Sequence, residues 1–234
     1  MDALRVAITD NRVSEIIICD DDSKDILELT QLLIQINSNK IKMYKNGKNL
    51  GCYLNKIEVI SKCTNEWAIL LDSDNVIEKD YIDTLYNIQE WNANTIYHPC
   101  WAKTFPGELS PNLDYRIWSN QEINGYFYLN NFNNNRFQCL INNCNYFVSV
   151  KAFTNCMNVH KNKYIREQID ALDSAVLFTE WLTTGNKIFV VDNLVYGHRV
   201  HDQSNYRVSK SHSYSNQILH MLYNKVITFI QTSG

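Results

Sequence analysis

Two short apolar runs in this chain each end abruptly in acid. Glu15 to Cys19 reads EIIIC and is followed by Asp20, Asp21, Asp22 and Ser23; Trp67 to Leu71 reads WAILL and is followed by Asp72, Ser73, Asp74 and Asn75. A continuous apolar run of that length is the pattern of a strand covered on both faces, as in a parallel sheet flanked by helices. Helical spacing follows each run, through Ile26, Leu29, Leu32, Leu33 and Ile36, with Ser23 or Asp25 as cap, and then through Glu78, Tyr81, Ile82, Leu85 and Ile88. Between them, Ile41 to Tyr44 reads as a strand, Asn46-Gly47 and Asn49 to Gly51 as turns, and Leu54, Ile57 and Ile60 as a helix. This alternation predicts a doubly wound α/β sheet, whose ligands bind beyond the carboxyl ends of the strands. The acids stand where a ligand would be.

The texture changes after Thr95. Thr95 to Tyr97 predicts a strand, and Pro99, Pro106, Gly107 and Pro111 break the segment after it. Tyr126 to Leu129 and Tyr146 to Val150 read as aromatic and β-branched strands on either side of an Asn-rich turn at Asn130 to Asn135. A helix is expected over Tyr164 to Thr183, ending at Gly185, then strands over Ile188 to Val191 and Leu194 to Tyr196. A polar loop from His198 to His212 leads to a last helix over Tyr214 to Ile230, with Ile218, Leu222, Val226 and Phe229 in one stripe. That stripe suits internal packing, with a dimer contact as its second use. No linker rich in Pro, Gly or Ser divides the 234 residues, so one domain with two lobes is expected. The lobes are about 1–98 and 99–212, followed by the helix at 213–234.

Composition removes several function classes. The 22 basic and 25 acidic side chains leave a net charge of -3 with no basic block, which argues against nucleic acid as a partner. No run approaches the ~20 apolar residues of a membrane span, and Met1-Asp2 does not open a signal region. Seven cysteines, odd in number and without a CxxC, read as reduced thiols and place the chain in the cytoplasm. With only 7 Gly and 3 Pro against about thirty Asn, asparagine and aspartate are left to make the turns.

Asp72-Ser73-Asp74 is the strongest chemical signal. In extended backbone alternate side chains share a face, so the two carboxylates converge at a strand end and suit a hard cation, Mg2+ or Mn2+, that a diphosphate would complete. The plainer reading is that Asp74 or Asn75 caps the next helix. Within Asp20 to Asp22 one acid suffices as a cap, and Asp21 is placed to accept from a nucleobase imide or a ribose hydroxyl. His198 and His201 form an HxxH in YGHRVHDQSNY, but no Cys pair or HExxH helix accompanies them, which counts against zinc. Trp101, Trp118, Tyr126, Tyr128 and Trp181 offer faces on which a sugar could stack, although core packing is the commoner use of such residues.

EIIICDDDSKD and WAILLDSDNVIEKDYI together resemble the strand-and-loop signatures of the GT-A glycosyltransferases, most closely the inverting family-2 group. The likeness runs over about 1–90 and 165–205. It implies a GT-A-like, Rossmann-like mixed sheet flanked by helices, and transfer of a sugar from a nucleotide diphosphate donor, UDP-sugar favoured, to a glycan or other hydroxyl acceptor. It further implies that Asp21 contacts the base, that Asp74 is the direct metal ligand with Asp72 in support, and that His201 completes the metal shell or touches the diphosphate beside Arg199. Asp173 occupies the position of the carboxylate base, with Glu167, Asp170 and Glu180 as neighbouring alternatives. Two departures stand out. The family's Arg-Asn pair is replaced by Asn55-Lys56, and its first strand has no counterpart, since Met1 to Leu4 match the helix that follows it. The rival expectations are a nucleotidyltransferase acting on sugar phosphates, against which the lack of a Gly-rich first loop counts, and a degenerate homologue that binds sugar nucleotide without turnover.

Overall fold

The computed structural model describes residues 2–105, 111–199 and 209–233. The predicted alternation holds through the first half: helix α1 (Asp2–Thr9), strand β1 (Ile16–Asp20), α2 (Ile26–Ile36), β2 (Ile41–Lys45), α3 (Cys52–Ser61), β3 (Trp67–Leu70), β4 (Val76–Ile77) and α4 (Lys79–Tyr86). β1 and β2 pair in parallel as a sheet of their own. β3 belongs to a second sheet, ordered β3-β7-β5-β8-β4, with β6 also paired to β8.

The second half supplies that sheet and most of the core. It contains β5 (Thr95–Phe105), β6 (Glu122–Ile123), α5 (Gly125–Asn131), α6 (Asn135–Ile141), β7 (Tyr146–Ser149), α7 (Val150–His160), α8 (Arg166–Ile169), α9 (Asp173–Leu182), β8 (Lys187–Arg199) and α10 (Ser215–Ser233). β5 and β8 run parallel along almost their whole length, while β7 pairs antiparallel to β3 and to β5. The sheet is thus mixed, and the described residues share one hydrophobic cluster.

Four local expectations are corrected. Pro99 does not end β5: the strand passes through it, the register against β8 shifting between Pro99 and Trp101, so the missing N–H falls at a bulge. Facing that shift, Asn193 adopts φ 60, and β8 runs unbroken through the residues expected to form two strands. Tyr126 to Leu129 is helical, not extended. The side chain of Asn124 accepts from Phe127 N at 3.0 Å and caps α5, and Tyr128 is buried against Phe137 and Thr179; capping and burial outweigh a weak aromatic strand preference. The helix expected over Tyr164 to Thr183 is two helices. Ala171 N donates to Ser211 Oγ at 2.7 Å from the 3-10 turn Lys210–Tyr214, a bond that holds the chain non-helical between α8 and α9.

The stripe of α10 is used internally: Ile218, Leu222 and Val226 are buried within the chain. No described helix is long and apolar enough to cross a membrane.

Candidate functional site

A cleft of about 920 Å3 runs along β1 and β3, and Asp72, Asp74, Asp170 and Asp173 line it. The break between α8 and α9 makes Asp173 the first residue of α9, where a helix N-terminus favours negative charge. Asp173 is buried, and its carboxylate accepts from Lys56 Nζ at 2.7 Å; the same ammonium lies 3.1 Å from Asp72 Oδ1 and 3.3 Å from Ser174 Oγ. One lysine of α3 therefore ties the first acid of the DSD turn to the acid that opens α9. Burial opposes the charge of Lys56, but Asp173 and Asp72 outweigh it and hold its pKa well above the ordinary lysine value. Burial raises the pKa of Asp173 above the usual carboxylate range, with Lys56 offsetting part of the rise.

The DSD turn is held from two sides. Asp72 N donates to Asn145 Oδ1 at 2.9 Å, and Asn145 Nδ2 returns a bond to Asp72 Oδ2 at 3.2 Å. Asn75, fully buried, donates to the same Asn145 oxygen and accepts from Arg199 N at 3.1 Å, so the end of β8 is fastened to the turn. β4 packs so closely on β8 that a Cβ at Gly197 would come within 2.4 Å of Val76 Cγ2. Asp74 and His198 also line the cleft, Asp74 half-buried.

Asp21 lies one loop away and is engaged with a turn. Its Oδ1 accepts from Asn46 Nδ2 at 2.8 Å and Leu50 N at 2.7 Å, and its Oδ2 from Gly51 N at 2.7 Å. Oδ2 keeps acceptor capacity for one further donor. Gly51 sits at φ +84, and a Cβ there would meet Arg166 Nε at 2.5 Å. Asp20 caps its own loop, accepting from the backbone of Asp22 and Ser23.

The structure separates the alternatives to Asp173. Asp170 lines the cleft, Glu167 is exposed outside its lining, and Glu180 is fully buried elsewhere, bonded to Tyr164, Lys225 and His160. His201 lies outside the described residues. Of the aromatic candidates, Trp181, Tyr128 and Trp118 are core, Tyr126 is exposed, Trp101 stacks under Arg116, and none lines the cleft. Lys56 and Asn145 are the residues that sequence reasoning passed over. The one signal was that Asn55-Lys56 stands where the resemblance calls for Arg-Asn.

Hard oxygen donors are the right kind for Mg2+ or Mn2+, and Asp72 and Asp74 fit the pattern of one or two carboxylates completed by substrate phosphates. Among the described residues no group of three or more His, Cys, Asp or Glu is placed to hold a metal ion.

Comparison with known proteins bears on the fold and the family. A search of curated protein sequences finds no match. Among solved structures, Staphylococcus aureus TarS 1-349 in complex with UDP-GlcNAc superposes with a TM-score of 0.65 at 13% identity, over 93% of this chain and 60% of that one. The same protein in complex with UDP gives 0.61 at 16%, over 100% and 69%. GalNAc-T7 with UDP, GalNAc and Mn2+ gives 0.57 at 12%, over 85% of this chain and 40% of the other. At such identities the likeness is one of fold. The family model for glycosyl transferase family 2 matches residues 3–154, well over half of the sequence, and the chain therefore belongs to that family of glycosyltransferases.

Proposed function

We propose that the protein transfers a sugar from a nucleoside diphosphate donor, a UDP-sugar by preference, to a hydroxyl of a glycan or similar acceptor, with inversion at the anomeric carbon. The observation that carries this reading is the convergence of Asp72, Asp74 and Asp173 on one cleft, with Lys56 bridging Asp72 and Asp173 at 3.1 and 2.7 Å. UDP and UDP-GlcNAc in the TarS structures, and UDP with Mn2+ in GalNAc-T7, support the donor class and the cation.

Asp72 and Asp74 would hold a divalent cation, Mn2+ or Mg2+, which would neutralise charge on the departing diphosphate. Asp21 takes the nucleotide base with its remaining acceptor site. Arg199, fixed through its backbone to Asn75, is the phosphate neighbour in this reading, and His201 is assigned to the metal shell or the diphosphate on the sequence resemblance alone. Asp173 accepts the proton of the acceptor hydroxyl as that oxygen attacks, and Lys56 keeps its carboxylate ionised and aimed until then. Seven free thiols suit a reducing compartment, and we place the enzyme in the cytoplasm.

The test is nucleoside diphosphate release from UDP-sugars, with and without Mn2+. Asp173→Asn is expected to lower turnover by about 10²- to 10⁴-fold while donor binding persists, and Asp74→Asn to abolish stimulation by metal. Full turnover in Asp173→Asn would overturn the assignment of the base. Pyrophosphate as the product would indicate nucleotidyl transfer instead. Binding of donor without any product would indicate a sugar-nucleotide-binding homologue.

A further inference from the structure

The charges along the cleft are unevenly matched. Asp72, Asp74, Asp170 and Asp173 line it, against two strong cations, Arg12 and Lys56. Arg12 is taken by Asp10 and Asp83, which leaves Lys56 to answer the acids. It answers two of them at once. Its Nζ donates to Asp173 Oδ2 at 2.7 Å and to Ser174 Oγ at 3.3 Å, and lies 3.1 Å from Asp72 Oδ1. Three ammonium protons thus have three oxygens to serve, and the group is fixed. The two acids differ in reach, because the Asp173 side chain is 10% exposed and that of Asp72 34%. An ion arriving from solvent meets Asp72, and meets it already paired.

Neither member of that pair is free to withdraw. Asp72 is held by Asn145, which accepts from its N–H at 2.9 Å and donates to its Oδ2 at 3.2 Å. Asn145 is buried and is itself fixed: its N and Nδ2 donate to Asn143 Oδ1, and its carbonyl accepts from the Tyr81 hydroxyl. Lys56 is held from the other side, by the first two residues of α9. Mg2+ binds a carboxylate oxygen at about 2.1 Å. On Asp72 it would stand close to the ammonium, and like charges repel strongly where water is largely displaced. Among the described residues no third His, Cys, Asp or Glu is placed to offset that repulsion.

We propose that Lys56 is the resident counter-ion of the DSD turn, a positioning residue that competes with a divalent cation for Asp72. In the free protein the ammonium keeps Asp72 and Asp173 together and holds cation affinity low. Cation binding at the turn displaces the Lys56–Asp72 contact and leaves Lys56 to Asp173 and Ser174. The negative charge that makes this exchange favourable comes from a nucleoside diphosphate. The inference rests on the cation site of the proposed reaction.

The experiment titrates Mn2+ into the protein and follows free Mn2+ by electron paramagnetic resonance, with and without UDP, so that no turnover is needed. Without UDP, Lys56→Met is expected to bind Mn2+ about tenfold or more tightly than the unaltered chain. Lys56→Arg, which keeps the charge, is expected to keep the weak binding. Adding Asp72→Asn to Lys56→Met should remove the gain. Lys56→Met leaves Asp173 buried without its counter-ion and risks unfolding, so the same comparison is made between Lys56→Met/Asp173→Asn and Asp173→Asn alone, and tighter binding in the double variant supports the competition. Equal or weaker Mn2+ binding on loss of Lys56, in a protein that binds Mn2+ with UDP, would overturn the competition and leave the cation site standing. A gain that survives Asp72→Asn would also overturn it, since the effect would then not pass through Asp72. No Mn2+ binding to the unaltered chain even with UDP would overturn the cation site and this inference together.

Discussion

Glu15 shows how much one carboxylate can hold. It is largely buried and accepts from Lys42, Thr64 and Asn65, joining the start of β1 to the turn before β3. Burial alone would raise its pKa, but these donors together pull it down to about 2. A carboxylate depressed in the folded state contributes stability that is present above its unfolded value and is lost as pH falls toward the folded one. Between 4.5 and about 2 the linked contribution amounts to about 3 kcal/mol. Glu15→Gln is therefore expected to lower stability at pH 7 by up to that amount and to flatten its fall between pH 4.5 and 2. Urea denaturation at pH 7 and pH 3 measures both; a variant that keeps the full acid dependence would show that other groups carry it. Lys56 is the counterpart inside the cleft, a single cation whose position decides where two acids sit.

At the scale of elements, asparagine and glycine set the boundaries. Asn124 and Asn134 cap α5 and α6 with their side chains, a use of the abundant Asn that composition already suggests. Gly51 opens α3 at φ +84 under the Arg166 side chain, and its N–H is one of the bonds on Asp21. Gly51→Ala is expected to cost about 1–3 kcal/mol through backbone strain and to raise KM for donor, because the turn that aims Asp21 shifts. Gly47→Ala, with nothing within 4 Å of its new Cβ, is the control and should change stability by less than about 1 kcal/mol. Chemical denaturation and donor titration read the pair; equal effects at the two positions would refute the argument. The break that makes Asp173 an N-terminal residue works in the same way, a boundary set by one hydrogen bond from Ser211.

For the whole molecule, one packed body, the shared hydrophobic cluster, draws on both halves and takes the larger part of its residues from the second. Within the body, Glu180 of α9 joins His160 of α7, Tyr164 and Lys225 of α10. Removing a charge from a buried ionic cluster leaves its partners uncompensated, so Glu180→Gln is expected to lose about 3–5 kcal/mol. Turnover of the folded protein should be unchanged, because none of the four lines the cleft. Melting and kcat measured together check this, and loss of kcat without loss of stability would make Glu180 a candidate base again. The strands that bear acid, their alternation with helices, and Asp72 and Asp74 at a strand end were legible in the sequence, because apolar strands and strand-end acids are local patterns, whereas Asp173 came forward only through the family resemblance. The sequence could not show that Tyr126 to Leu129 is helical, that the helix before Gly185 is broken, or that Lys56 bridges Asp72 and Asp173. Those outcomes rest on contacts between residues far apart in the chain, Asn145 with the DSD turn, Ser211 with Ala171, α3 with α9, and only packing of the folded chain brings them within reach of one another.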